Sequence, residues 1–533
     1  MKDIKHKFLN IAFSGFMAAV LLISCDKGFK DMNVNPNAYT EPALGPLFTT
    51  SLIRTVGTGT PDRNRTNMKY LSGAMQYHAT LQNFWYGEKG IVNVQTGNFF
   101  ETVYTDHLRQ LAVVIAKTEG DPELVNQNAL ANIWRVYALH RVTDAYGDVP
   151  YKEAVQGTAG IYKPKYDKQS DIYPWMLQDL ETAIGHLDAS KGSFGGADVV
   201  YKGDIQKWKT FAYSLMLRLG MRLTKVDPAM AETWVKKAIA GGVMKSNADI
   251  AKLDHTPTAG NTWNWDAEEL KRESLPEGNQ GLGLVKMGKT FIDLLQENKD
   301  PRLPFYATLW QGNINSMQAQ VITETTKPEL QKGLPNGYDV GTISQAIPGW
   351  NNSMLTSYSE PNTATIANYS SPSIILSYSE VEFLLAEAAL RGWGPGTAEE
   401  HYSNAIRANM ESSTLFPNSN LAPMQITTSE ISDYLTTHTL AGSDAEKMRQ
   451  IYTQFYLAHY MYLDFFEAWS TWRRTDVPDL APVHYSLNTT GGLPIRRLMY
   501  SFDEKALNTA NVEAAIADQG PDTYTSRVWW DKQ

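Results

Sequence analysis

Cysteine, histidine and paired carboxylates are the side chains whose spacing would first betray catalysis, and here they are sparse. A single cysteine, Cys25, stands in 533 residues, which leaves no intramolecular disulfide framework and no thiolate catalysis. The ten histidines are scattered singly, without i,i+4 pairs. That pattern argues against a metal cluster and fits exposed or core-satisfied rings. The chain carries no HExxH, no Walker A loop and no G-x-S-x-G elbow. Gly281-Leu282-Gly283 is followed by Gly288, which misses the dinucleotide spacing. Asp31, Asn33 and Asn35 match the first three ligands of a calcium loop. Pro36 and Pro42 then stand where that loop requires Gly and Glu. Glu268-Glu269 could serve a glycosidase, but carboxyl separation across a fold cannot be read from sequence, and chance pairs are expected in so acidic a chain. No catalytic residue, metal ligand or cofactor is assigned.

Cys25 offers a different chemistry. Lys2, Lys5 and Lys7 precede an apolar stretch from Ile11 to Ile23. The stretch is too short to span a bilayer, which takes roughly 20 residues, but it fits the apolar region of a signal peptide. It ends in Leu22-Ile23-Ser24-Cys25, which resembles the bacterial lipobox, whose cysteine thiol is diacylated, with cleavage just before it and acylation of the new amino terminus. The alternative is a chance cysteine behind an ordinary signal peptide. Several acyl chains, at roughly 0.8 kcal/mol per buried CH2, make a stable anchor. Removing residues 1–24 takes three lysines and Asp3 from totals of 48 basic and 57 acidic residues, leaving 45 against 56, a net charge of −11. Such a chain, without a basic block, is not expected to bind nucleic acid or to be held electrostatically on anionic lipid. No later stretch has the length and apolarity of a transmembrane helix.

Beyond the anchor, residues 25–45 form an Asn- and Pro-rich tether without helical or strand period, and residues 46–533 are expected to form one domain. Long helices follow. Leu130, Ile133, Trp134, Tyr137 and Arg141 mark a helix over 126–146, stopped by Gly147-Asp148-Val149-Pro150. Tyr173, Leu177, Leu180, Ile184 and Leu187 mark another over 171–188, with Asp171 as its cap. Residues 204–225 and 228–240 read as a pair broken at Asp227-Pro228. Ser379 with Glu382, and Thr397 with Glu400, read as capping boxes opening two helices joined by Gly392-Trp393-Gly394-Pro395-Gly396. That αα-hairpin resembles a tetratricopeptide-type unit, although no 34-residue period is visible. Residues 446–470 carry the longest helical pattern. Between these blocks, 243–372 and 474–528 are rich in Gly, Pro, Asn, Ser and Thr and weakly periodic; they read as irregular excursions from the scaffold.

Several of these segments, taken in order, resemble SusD/RagB-type nutrient-binding lipoproteins of Bacteroidetes. They are the lipobox followed by Asp31-Met-Asn-Val-Asn-Pro-Asn37, then Thr143-Asp-Ala-Tyr-Gly-Asp-Val-Pro-Tyr151, the helix from Ile172 to Ile184, and Trp208-Lys-Thr-Phe211 with Leu217-Arg-Leu219. Asp300-Pro-Arg-Leu-Pro304, the Ser377–Arg391 helix and Gly491-Gly-Leu-Pro-Ile-Arg496 continue the series. Tyr462-Leu-Asp-Phe-Phe-Glu-Ala-Trp469 and Arg527-Val-Trp-Trp-Asp531 look most like the SusD-like subgroup. The resemblance implies a mostly α-helical fold built on four tetratricopeptide-like helix pairs (about 126–242 and 377–470), with the irregular remainder carrying the ligand surface. It also implies a SusC-like TonB-dependent outer-membrane barrel as partner, on which the lipoprotein sits as a hinged lid. Members bind glycans or, in RagB-like cases, peptides, and perform no chemistry. Asp26 departs from the pattern: in enterobacteria an aspartate after the lipidated cysteine favours inner-membrane retention. The outer-membrane surface is the expected location here. A scaffold lipoprotein without a ligand is the competing class.

The family's ligand residues are not held in a transferable motif, so candidates come from chemistry. A sugar needs flat aromatic platforms and planar amides, carboxylates or Arg at its edge. On loops, three places supply them: Asn83, Trp85 and Tyr86; Trp263, Asn264 and Trp265; and Trp350 with Asn351. The competing role for each is a plug onto the helical scaffold. If Trp263-x-Trp265 is extended, its two rings point to opposite faces. The Trp529-Trp530 pair reads as packing or a contact to the partner barrel.

Overall fold

Capping residues and glycines cut the apolar helical patterns into discrete segments. The computed structural model describes residues 43–57, 65–257, 262–274, 284–311, 323–417 and 425–532. The signal peptide, Cys25, most of the tether and the calcium-like run from Asp31 to Pro42 lie outside the described residues. The helices of the first half are α1 (Leu44–Val56), α2 (Leu108–Thr118), α3 (Val125–Tyr146), α4 (Gln169–His186), α5 (Ile205–Arg222) and α6 (Pro228–Gly241). The second half adds α7 (Trp265–Ser274), α8 (Lys289–Glu297), α9 (Tyr378–Leu390), α10 (Ala398–Glu411), α11 (Thr428–Thr437), α12 (Asp444–Tyr462), α13 (Phe465–Thr475) and α14 (Thr509–Gln519). Consecutive helices pair, α3 with α4, α5 with α6, α9 with α10 and α12 with α13. The architecture is the mostly α, helix-pair scaffold expected from the sequence.

Strands are short and serve to pin the irregular segments. They are β1 (His78–Thr80), β2 (Ala251–Leu253), β3 (Val285–Met287), β4 (Ala307–Gln311), β5 (Thr323–Thr325), β6 (Glu360–Pro361) and β7 (Ser373–Leu376). β1 pairs antiparallel with β3, His78 opposite Met287 and Thr80 opposite Val285. β2 pairs with β7, and β4 lies between β5 and β6. The excursion 243–372 is therefore more ordered than its composition suggests, with α7, α8, a single α-helical turn at Leu303–Tyr306 and the five strands β2 to β6 among its described residues. The excursion 474–528 holds α14 and a short helix, Phe502–Leu507.

Three local expectations are corrected. α4 begins before Asp171, and the amide of its first residue, Gln169, is satisfied from afar by Asp148 Oδ1 at 2.8 Å. α9 is capped by Ser377, whose Oγ accepts from the Glu380 amide at 3.0 Å. Ser379 instead donates to the Ala405 carbonyl of the neighbouring helix. The pattern over 446–470 is two helices, because Leu463 adopts φ +48° and Asp464 then caps α13 by accepting from the Glu467 amide. The Thr397/Glu400 box forms as expected.

The helix pairs are bound by a buried ionic network. Glu467 of α13 lies 2.5 Å from Arg222, 3.5 Å from Arg218 and 3.8 Å from Arg141. Arg218 also forks onto Glu380 of α9 at 2.6 and 2.8 Å, and Arg141 of α3 onto Asp464 at 2.9 and 2.5 Å. Arg474 grips Glu387 at 2.9 and 2.8 Å. Burial alone would raise the Glu467 carboxyl, but Arg222, Arg218 and Arg141 outweigh it and hold it well below the usual range. Glu467→Gln leaves buried guanidinium groups without their shared counter-charge. It is expected to cost about 3–5 kcal/mol in urea unfolding; a cost below about 1 kcal/mol would show the network to be dispensable.

A second ion pair joins α9 to α10. His401 Nδ1 lies 2.7 Å from Glu382 Oε2, and its Nε2 lies 3.0 Å from the Pro395 carbonyl. Burial opposes the charge, yet the bonds to Glu382 and Pro395, with Glu400 nearby, raise the imidazole above 6.5. Because the folded value lies above the unfolded one, the stabilisation is complete below about pH 6.5 and fades as pH rises through the folded value. The melting-temperature gap between the wild type and His401→Gln should be largest near pH 5.5 and shrink towards pH 8.5. A gap that ignores pH would mean the ring is neutral packing.

Candidate functional site

The segment from Gln82 to Tyr86 follows β1 and leads into a single helical turn, Tyr86–Lys89. Gly87 is obligatory in that turn, since a Cβ would collide with the Tyr70 carbonyl. Two buried side chains fix it from below. Lys89 donates to the carbonyls of Thr80 at 2.6 Å and Tyr338 at 2.7 Å and lies 3.3 Å from Glu88. Glu88 accepts from the amides of Gly337 at 3.0 Å and Thr80 at 3.1 Å. Burial raises the Glu88 carboxyl, with Lys89 opposing it. Asn83 is exposed, and Phe84 and Tyr86 are half-buried. Trp85 is fully buried, its Nε1 donating to Ser72 Oγ at 3.1 Å and its ring edge-on to His78. The proposal of Trp85 as a ligand platform is thereby corrected: alternation along the segment turns it inward, and no face is left for a sugar.

The second candidate cluster lies against the first. α7 packs on the turn Thr66–Ser72 and on β3. Lys69 of that turn is ion-paired to Glu269 of α7 at 2.9 Å and holds its ammonium 5.5 Å over the Phe84 ring. Burial raises the Tyr86 phenol, Arg65 opposes the shift and Glu269 adds to it. Trp263 is half-buried and stacks on Tyr369, centroids 4.4 Å apart. Lys271 Nζ sits 4.0 Å from the same Tyr369 centroid. Two groups this close to one ring need its two faces, so Tyr369 serves as backing for the half-buried Trp263. Tyr369 also donates to Glu268 at 2.8 Å, and burial together with Glu268 raises its phenol. Asn264 is corrected as a ligand contact. It is buried, donates to the Ser371 carbonyl at 2.9 Å and caps α7 by accepting from the Ala267 amide at 2.9 Å. Trp265 is half-buried and opens α7, so its backbone is helical and the alternation of an extended Trp263-x-Trp265 does not continue through it. Glu268 and Glu269 are consecutive on one helix and engaged by Tyr369 and Lys69, not set across a cleft as an acid–base pair.

Trp350 belongs to a third stretch. It packs, with Tyr338, Ile347 and Leu355, on a buried cluster of Ala79, Leu81, Leu334, Ile343 and Tyr358. Leu81 lies two residues before Asn83, so this ledge borders the same segment. Trp350 Nε1 donates to Asn352 Oδ1 at 3.3 Å. Asn351 is exposed but caps the turn Asn352–Ser357 through the Ser353 amide at 3.1 Å. Trp530 is buried and donates to Asp144 at 2.9 Å, which is packing.

Sequence reading missed Tyr369, Lys69, Lys271 and Tyr338. Tyr369 carried a usable signal, an aromatic between Asn368 and Ser370-Ser371 in a loop; the lysines carried none. A concavity of about 760 Å³ between α8 and α11 shares no residue with these loops. It is rimmed by Glu297, Glu329, Glu430 and Asp433, and its Tyr434 is buried and covered by His438.

A helix-pair scaffold whose loops converge on a braced aromatic shelf is the form of a binding protein. A family model described as "Starch-binding associating with outer membrane" matches residues 36–501, and the chain belongs to this SusD-like family. The family consists of binding proteins rather than enzymes. A solved chitin-binding protein is 30% identical, with a TM-score of 0.77, the alignment covering 92% of this chain and 100% of that one. A Bacteroidetes SusD-like protein (24%, TM-score 0.80, 92% and 100%) and a chitin-binding SusD homologue from Flavobacterium johnsoniae (24%, 0.71, 92% and 99%) share the fold. Among curated proteins none matches.

Trp263→Ala should weaken ligand binding with little loss of stability, because its ring is half-exposed. Trp85→Ala should instead cost about 3–5 kcal/mol of stability. Urea unfolding beside a binding isotherm separates the two, and a reversed ranking would return Trp85 to the ligand surface.

Proposed function

We propose that the chain is a lipid-anchored, cell-surface receptor that binds an oligosaccharide and hands it to a SusC-like TonB-dependent barrel. The observation that carries the binding reading is Trp263, held flat on Tyr369 with Lys271 and Glu268 bracing the stack, beside exposed Asn83 and half-exposed Phe84 and Tyr86. A fixed aromatic face meets the apolar C–H side of a pyranose without ordering cost at the moment of binding, and neighbouring polar groups meet its hydroxyls. The family description and the 30% identical chitin-binding structure support a glycan, with β-linked N-acetylglucosamine chains first and α-glucans second. In this reading residues 1–24 are removed, Cys25 is acylated, 25–45 is a tether and 46–533 is one SusD-like domain that swings over its barrel. The family's association with the outer membrane supports that placement.

Isothermal calorimetry of the detergent-solubilised full-length protein against chitin- and starch-derived oligosaccharides, with a peptide mixture as control, tests the reading. Saturable heat with one glycan series is expected. Saturation by peptides alone would move the assignment to a peptide receptor, and silence in every series would favour a scaffold.

A further inference from the structure

We propose that the Lys69–Glu269 ion pair is a positioning element that fixes the spacing of two aromatic platforms, Phe84/Tyr86 and Trp263/Tyr369, and thereby makes binding selective for longer saccharide chains. The inference rests on the glycan reading above and goes beyond it by naming what couples the two halves of the surface.

The contacts form an unbroken series. Phe84 lies under the Lys69 ammonium at 5.5 Å. Lys69 reaches Glu269 at 2.9 Å, with the two side chains only 12% and 6% exposed. Glu268, the next residue on α7, accepts from Tyr369, and Tyr369 carries Trp263. The two platforms thus hang on consecutive residues of one helix, and the Lys69 ammonium ties that helix to the turn beneath Phe84. Solvent-exposed ion pairs are screened and hold two long side chains only loosely. This pair is largely withdrawn from water, where attraction is stronger and geometry is enforced.

Fixed spacing has a consequence for affinity. A chain long enough to reach both platforms binds the second one intramolecularly, at high effective concentration, and that gain disappears if the platforms cannot be engaged together. A short chain meets one platform and is indifferent to the distance between them. A purely structural role for the pair would weaken every ligand alike.

The test is the affinity of chitin-derived oligosaccharides from disaccharide to hexasaccharide, measured by calorimetry on the full-length protein and on Lys69→Met, Glu269→Gln and the exchanged pair Lys69→Glu/Glu269→Lys. Each protein is used only where its melting curve shows it folded. The wild type should gain affinity steeply with length. Lys69→Met should lose on the order of tenfold for the hexasaccharide while the disaccharide changes less than about twofold, and the exchanged pair should recover part of the loss. If Lys69→Met does not fold, Glu269→Gln carries the same comparison. An equal loss at every length, or none at any, overturns the proposal while leaving the glycan reading standing. A wild type that binds no oligosaccharide of any length overturns both.

Discussion

Glu467 sits among three arginines that reach it from two other helices, and most of the scaffold is organised around that carboxylate. Arg141 of α3 and Arg218 and Arg222 of α5 converge on it, and Arg218 carries the network on to Glu380 of α9. These groups are nearly dry, so each cation must be compensated or the helix that bears it cannot stay where it is. Apolar stripes would let neighbouring helices slide by a turn with modest loss. Forked guanidinium–carboxylate pairs do not, because two parallel bonds fix both distance and orientation. The network therefore sets the register of the helix pairs. The positions at which the irregular segments leave and rejoin them follow from it.

Those segments are tied down by small, specific devices rather than by a large core of their own. β1 pairs with β3 across more than two hundred residues of sequence, and buried Glu88 and Lys89 pin the backbone at Thr80, Gly337 and Tyr338. The result is a surface on which three distant stretches border one another. Its aromatic rings are held by partners: Trp263 by Tyr369, Tyr369 by Glu268 and Lys271, Phe84 by Lys69. A ring braced in this way loses little freedom when a flat ligand settles on it, which suits a protein that must capture and release without chemistry.

The same physics explains which expectations failed. A capping box is a pattern of two residue types, and Ser377-Tyr-Ser-Glu380 with Glu382 offers two ways to write it. Tertiary contacts chose between them, sending Ser379 to Ala405 and Glu380 to Arg218. Asn264 looked like a ligand amide because Asn is equally good at capping a helix. Trp85 looked like a platform because a loop aromatic carries no mark of which way it faces. Only the packing of Ser72, His78 and Gly73 around it turned it inward.

Helical class, the helix pairs near 126–242 and 377–470, the family and the places where loop aromatics cluster are all legible in the order of the amino acids. Those features are local, written in apolar period, caps, glycines and short motifs read within a few residues of one another. Long-range packing, by contrast, settled which aromatic faces outward and which loops share a surface. It also decided that Lys69, an unremarked lysine in sequence, stands between two of them. Such facts depend on pairings between residues a hundred or more positions apart, such as Lys69 with Glu269 and Trp263 with Tyr369. No local pattern encodes the partner at the other end.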